Sequence, residues 1–279
     1  MVAIQIPTFI KWAGGKTQLI EQLTPLFPKG YNRYLEPFLG GGAVFFYVVQ
    51  KVKPNEIILS DINEELINAY VVLRDDVERL IIELKQHKEY HQADGKKYYL
   101  EIRGVNPTTL PALERAARFI YLNKTCFNGL YRVNSKGNFN VPLGSYKNPG
   151  ILREESLREA SKMLQGVVLK VMPFEKVINH AKKGDFIYLD PPYYPLKKSS
   201  FTSYTKDIFL ENEQRKLAEL FRELNKKGCQ LMLSNSDTEF IKEMYKNFQI
   251  HTVRAKRLIN SKSEGRGIIN EIVVTNYCQ

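Results

Sequence analysis

Four short apolar runs, each closed by an acidic or small polar residue, constrain the fold of this chain most: Tyr34-Leu35-Glu36, Ile57-Ile58-Leu59-Ser60-Asp61, Phe186-Ile187-Tyr188-Leu189-Asp190 and Leu231-Met232-Leu233-Ser234-Asn235. They read as buried parallel strands, since a sheet covered on both faces needs no polar alternation, and their C-terminal ends present the polar groups. Further strands are expected at Val167 to Val171, Ile250 to Val253 and Ile272 to Thr275. Between strands, Leu66, Tyr70, Leu73, Val77, Leu80 and Leu84 recur at helical spacing, with Asp61 or Asn63 placed to cap the start. Strand and helix therefore alternate as in a doubly wound, Rossmann-like α/β sheet. The stretch from about Val77 to Gln165 breaks the alternation with helical patterns and then a Gly, Asn and Pro-rich loop from Asn134 to Gly150. Residues 77–165 thus read as a helical insertion dividing one α/β domain into residues 1–76 and 166–279.

Charge narrows the partners. Lys and Arg number 41 against 30 acidic residues, a formal charge of +11, which favours a polyanion. The distribution is more telling than the total. From Arg115 to Arg153 there is no Asp or Glu, while Arg115, Arg118, Lys124, Arg132, Lys136, Lys147 and Arg153 alternate with Phe119, Tyr121, Phe127, Tyr131, Phe139 and Tyr146. A solvated face normally mixes signs. A second basic stretch comprises Arg254, Lys256, Arg257, Lys262 and Arg266, with Glu264 its counter-charge. No apolar run approaches the roughly 20 residues of a membrane span, and the N-terminus lacks a signal-peptide pattern, so a soluble cytoplasmic protein is expected. Cys126, Cys229 and Cys278 lack metal-ligand spacing, and their odd number argues against a disulfide framework. No metal is expected.

Two motifs suggest a nucleoside-bearing ligand. Glu36-Pro37-Phe38-Leu39-Gly40-Gly41-Gly42 follows a strand and supplies glycines where backbone approaches a ligand closely, although Phe45 stands where the strict dinucleotide pattern has its third glycine. Asp61 ends the next strand 19 residues after Gly42, close to the offset at which a carboxylate accepts ribose hydroxyls; a helix cap is its alternative role. Lys11-Trp12-Ala13-Gly14-Gly15-Lys16-Thr17 is not a triphosphate loop, because Ile10 occupies the place of the first glycine. It suits a zwitterion instead, Lys16 pairing a carboxylate and Trp12 covering an apolar or cationic part, unless Trp12 is simply core.

Asp190-Pro191-Pro192-Tyr193 carries the chemistry. Two prolines after a strand stop the ladder and stiffen the exit, so the chain leaves the sheet with Asp190 and Tyr193 exposed at its end. The Asp190 carboxylate and Pro191 carbonyl could accept hydrogen bonds from an exocyclic amine while Tyr193 stacks on a base. Such an arrangement fits amino-group methylation broadly.

These motifs, with Phe127-Asn128-Gly129-Leu130-Tyr131-Arg132, Gly137 to Gly144, Phe201 to Tyr204 and Ser234-Asn235, occur in an order that resembles the Dam family of D12-class DNA adenine methyltransferases over nearly the whole chain. The resemblance implies a Rossmann-like methyltransferase sheet with an inserted target-recognition domain, transferring methyl from S-adenosylmethionine to N6 of adenine within GATC in duplex DNA by base flipping. It implies cofactor contacts from Trp12, Lys16, Phe38, Gly40, Gly41, Asp61 and Asp190, and a catalytic role for Asp190, Pro191 and Tyr193. It also places Lys11, Asn128, Leu130, Arg132 and Asn134 near DNA. A monomer associated with the nucleoid is expected, with oligomeric state left open by the sequence. Ser145 and Lys124 depart from the basic residue and the Arg of some members, and Val171-Met172-Pro173-Phe174 lacks an acidic residue, leaving part of the adenine pocket around Phe174 unassigned. The alternatives are a methyltransferase acting on RNA or a protein amide, and a silent DNA-binding regulator. Membership of a restriction system, a repair pathway or a phage is left open.

Overall fold

The computed structural model describes residues 5–196, 209–256 and 267–278. Phe201 to Tyr204, and Arg257, Lys262 and Arg266 of the second basic stretch, lie outside them. In chain order the elements are α1 (Ile20–Leu23), β1 (Arg33–Glu36), α2 (Ala43–Lys51), β2 (Glu56–Asp61), α3 (Glu64–Asp75), α4 (Val77–Gly104), α5 (Ala112–Thr125), α6 (Glu154–Leu164), β3 (Val168–Val171), β4 (Phe186–Leu189), α7 (Glu211–Lys226), β5 (Gln230–Ser236), α8 (Glu239–Met244), β6 (Gln249–Lys256) and β7 (Ile268–Thr275). No described helix is long and apolar enough to cross a membrane. The chain divides into two compact units: Met1–Gly15, Gly40–Gln50 and Asn63–Val171 form the first, and Lys16–Leu39, Lys51–Ile62 and Met172–Gln279 the second.

The second unit holds the expected α/β sheet. Its strands run in the order β2-β1-β4-β5-β7-β6. The pairs β2 with β1, β1 with β4 and β4 with β5 are parallel, whereas β7 is antiparallel to both β5 and β6. Leu35, Ile58, Ile187, Leu189, Leu231, Leu233, Ile272 and Val274 are buried against Leu217, Phe221 and Leu224 of α7. Such continuous apolar strands are what a sheet covered on both faces requires. The reversed β7 is the one departure from parallel winding among these pairs.

The first unit is largely helical. α3 starts at Asn63, whose side chain accepts from the Leu66 N–H at 3.2 Å, so Asn63 rather than Asp61 is the cap. It ends at Asp76 (φ −145°, ψ 47°), which divides the Leu66 to Leu84 periodicity between α3 and α4. α4 is itself broken at Asp94 (φ −153°, ψ 83°), whose carboxylate accepts from the Lys97 N–H at 3.1 Å and caps the second stretch. Beyond α5, antiparallel bridges Cys126 to Leu143 and Val133 to Phe139 tie down part of the Gly and Asn-rich segment.

Candidate active site

In the second unit the chain leaves β4, buried along its whole length, directly into Asp190-Pro191-Pro192-Tyr193. Lys16, only 4% exposed, places its ammonium 2.8 Å from Asp190 Oδ1 and 4.8 Å from the centroid of the Tyr193 ring. The sequence suggests Lys16 for a ligand carboxylate; in the fold its charge is set against Asp190. Burial lifts the Asp190 carboxyl above its ordinary pKa, Lys16 draws it back, and the neighbouring Glu271 adds to the rise. The Tyr193 hydroxyl donates to Glu271 Oε2 on β7 at 2.9 Å, and burial together with Asp190 and Glu271 holds its pKa well above the ordinary phenol value. Tyr193 is therefore a neutral phenol with a fixed ring plane. Behind it, the Tyr188 hydroxyl and Ser234 Oγ share a buried hydrogen bond of 2.8 Å.

The same unit carries Phe38 and Asp61. The chain after β1 is tied to the end of β2 by the Leu39 N–H donating to the Ser60 carbonyl at 3.0 Å. Phe38 stacks on Phe174 with centroids 5.2 Å apart, and Phe209 meets Phe38 edge-on at 5.8 Å. Phe174, left unassigned by the sequence, is thus part of an aromatic cluster. Asp61 ends β2, its carbonyl accepting from the Met172 N–H at 3.0 Å. The next residue, Ile62, is 75% exposed, an apolar side chain in solvent that no motif singled out.

In the first unit, Trp12 explains Gly40 and Gly41. A Cβ on Gly40 would lie 2.7 Å from the indole Nε1, and Gly40 has φ +48°; a Cβ on Gly41 would lie 3.1 Å from Trp12 Cβ. The Tyr70 hydroxyl donates to the Gly40 carbonyl at 3.0 Å. The DNA-contact candidates all belong to this unit. Lys11 is laced to Asn123, its N–H donating to Asn123 Oδ1 and its carbonyl accepting from Asn123 Nδ2, each at 2.7 Å. The Lys11 ammonium donates to the Lys124 carbonyl at 3.2 Å and lies 3.6 Å from the Tyr146 ring centroid. Gly129 faces the Lys11 stem so closely that no Cβ fits. Asn128 sits in the left-handed region at φ 55°, a conformation Asn tolerates better than most residues. Leu130 is half-buried, with its carbonyl accepting from Cys126 Sγ at 3.2 Å. Arg132 is exposed, and its Nε and Nη2 donate to the side-chain and main-chain oxygens of Asn140 at 2.7 and 3.2 Å. Asn134 turns its Oδ1 inward to accept from the N–H groups of Lys136 and Asn138, both at 3.0 Å, so its carbonyl oxygen builds its own turn.

The acid-free stretch from Arg115 to Arg153 is only partly a surface. Arg118 is 5% exposed and donates to the carbonyls of Ile102 and Arg103; Lys124 is 6% exposed, and burial with the nearby charges of Arg153 and Lys11 lowers its pKa to about 8. Arg115 is paired with Glu64 and Glu65. Phe119 and Tyr121 are core residues. The basic face therefore narrows to Arg132, Lys136, Lys147 and Arg153, which are exposed.

Known proteins resemble the chain along most of its length. A family model described as D12 class N6 adenine-specific DNA methyltransferase matches residues 12–259. The type II methyltransferase M.MjaIII of Methanocaldococcus jannaschii is 45% identical over 98% of this chain and 100% of its own length. The type II methyltransferase M1.LlaDCHI of Lactococcus lactis subsp. cremoris is 44% identical over 98% of this chain and 96% of its own. A DNA adenine methylase of Haemophilus influenzae is 37% identical over 95% of this chain and 92% of its own. The chain belongs to the D12 class of N6 adenine-specific DNA methyltransferases.

Proposed function

We propose that the chain transfers the methyl group of S-adenosylmethionine to N6 of an adenine that has left the duplex stack, within the sequence GATC. The observation that carries this reading is the Asp190 carboxylate, fixed at the end of β4 by a buried lysine and flanked by an aromatic ring whose hydroxyl is tied to Glu271. An adenine N6 carries two N–H donors. Asp190 and the Pro191 carbonyl supply acceptors for them, which orients the amine and directs its lone pair to the reacting carbon. Lys16 opposes the burial that disfavours the charged form of that carboxylate. Tyr193 offers a flat apolar face to a base whose unstacking costs a few kcal/mol.

The bound donor supplies an electrophilic methyl group on a sulfonium. Three features of the second unit support such a donor: the carboxylate of Asp61 at a strand end would accept ribose hydroxyls, exposed Ile62 would cover a base, and the Phe38 backbone would form the adjoining loop. Trp12, Gly40 and Gly41 are assigned to the same donor from the family's motif.

Target reading is assigned to the first unit. Because Asn140 takes the Nε side of the Arg132 guanidinium, the remaining terminal N–H groups are presented in a fixed plane, the geometry that a guanine O6 and N7 pair accepts. Arg132→Ala is expected to reduce the preference for GATC over singly substituted sites by roughly 1–3 kcal/mol, about 5- to 150-fold in relative kcat/KM. Its phosphate-contacting neighbours would weaken all sequences alike.

Transfer of label from methyl-labelled S-adenosylmethionine to duplexes that contain or lack GATC tests the whole reading. Label recovered as N6-methyladenine only from GATC duplexes is the expected result. Equal label in duplexes lacking the site would remove the target assignment, and no label in any duplex would remove the donor or the acceptor.

A further inference from the structure

The Asp190 loop has a structural problem that the chain solves with two buried side-chain amides. Pro191 and Pro192 have no N–H, so the residues that leave β4 cannot be pinned by ladder donors. Asn235 at the end of β5 and Gln214 on α7 are both 0% exposed. Asn235 Oδ1 accepts from the backbone N–H of Tyr194 at 3.2 Å and from that of Ser236 at 2.8 Å. Asn235 Nδ2 donates to Gln214 Oε1 at 3.0 Å, and Gln214 Nε2 donates to the Pro192 carbonyl at 3.0 Å. The chain of bonds leaves the loop at Tyr194, passes through two amides and returns at Pro192. It brackets Tyr193.

Direction in this relay is determined by its own partners. Turning either amide over would set N–H against N–H or oxygen against oxygen at both of its contacts, so one orientation satisfies every bond. Burying two amides in a core costs free energy unless their bonds are met, and an apolar pair would fill the same volume without that demand. What the polar pair adds is a defined position for the backbone on each side of Tyr193.

We propose that Gln214 and Asn235 act as one positioning unit that fixes the Pro192 carbonyl and the Tyr194 N–H, and thereby sets Asp190, the Pro191 carbonyl and the Tyr193 ring against the acceptor base. This rests on the assignment of Asp190 and Tyr193 to the target adenine. Neither amide touches substrate; both act through the loop.

A double-mutant cycle tests it, with Gln214→Met and Asn235→Leu as near-isosteric apolar replacements. The methyl-transfer rate is measured in single turnover at saturating donor and DNA, per folded molecule as counted by donor-binding stoichiometry. Each single variant is expected to transfer on the order of 10²-fold more slowly, the loss that about 1 Å of misplacement brings. DNA affinity should stay within about threefold of wild type, because phosphate and base-edge contacts made elsewhere set it. The double variant should be no slower than the slower single one within about threefold, since a unit already broken cannot be broken again. Single variants with near-normal rates, or a double variant whose loss is the product of the two single losses, would overturn the proposal. Should Gln214→Met fail to fold, Gln214→Glu keeps the acceptor for Asn235 and replaces only the donor to Pro192; it is expected to lose transfer to a similar degree, and normal transfer in it would equally refute the relay. Asp190→Ala separates the two levels of inference: turnover retained in that variant removes the loop assignment beneath the proposal, whereas an inactive Asp190→Ala beside normal Gln214 variants removes the relay alone.

Discussion

Asp190→Ala is expected to abolish methyl transfer, with kcat lowered by at least about 10³-fold, while duplex binding stays within a few-fold of wild type. Loss of a single preorganised polar partner at a reacting centre costs about 10²–10³ in rate. Here the deletion does more than remove an acceptor. Lys16 is 4% exposed and its ammonium lies 2.8 Å from the carboxylate, so the variant retains a buried cation stripped of its anion, close to where a cationic donor and an amine must meet. Both effects oppose the reaction. Asp190→Asn should fall between, because it keeps an acceptor oxygen but not the charge. Single-turnover rates and equilibrium binding to a GATC duplex, measured on the same preparations, check this. Near-normal turnover in Asp190→Ala would refute the catalytic assignment, and parallel loss of binding would make Asp190 a folding or docking residue instead.

Much of this site is legible in the sequence because its parts are local. Asp190 and Asp61 stand at or beside the ends of apolar runs that read as buried strands, and the prolines after Asp190 mark the exit of the chain. What escaped is nonlocal. Glu271 meets Tyr193 across 78 positions, and nothing in the run around Ile272 distinguishes a carboxylate facing the site from one facing water. The direction of β7 is equally silent, since a strand buried on both faces has the same composition whichever way it runs. The helix expected through Leu66, Leu73, Val77 and Leu84 fails for a different reason: the apolar spacing continues in phase across the break at Asp76, and only the backbone there reveals two helices. Charge misled most in α5. Arg118 and Lys124 count as basic in the sequence, yet they lie on a helix whose residues from Ala116 to Thr125 are all buried, so their charges never reach the surface expected to meet DNA. The sequence offers Gly40 and Gly41 to a ligand, and in the fold the Trp12 side chain packs against both, a contact between distant positions that no motif announces.

Lys16→Met should produce opposite pH trends in activity and in stability. The Asp190 carboxyl already lies above the ordinary aspartate value of about 3.9 because burial and Glu271 disfavour its charge, and Lys16 is the group that opposes them. Removing the ammonium lets the pKa rise further. If the ionised carboxylate is the working form, the acid limb of the kcat/KM profile moves to higher pH, and the rate deficit of the variant is deepest at low pH and narrows as pH is raised. Stability runs the other way. A carboxyl whose folded-state pKa exceeds its unfolded value binds its proton more tightly when folded, so between those two values the folded state loses stability as pH rises. The variant should be destabilised by about 3 kcal/mol where Asp190 is ionised, toward the lower end for a broken buried pair because the Asp190 side chain retains 19% exposure. That deficit should shrink as pH falls into the window above the unfolded aspartate value. Denaturant titrations of wild type and variant across the same pH series as the rate measurements give both curves. A rate deficit independent of pH would mean that Lys16 serves only to place the loop, and a stability deficit that grows on acidification would mean that Asp190 is not the charge it compensates.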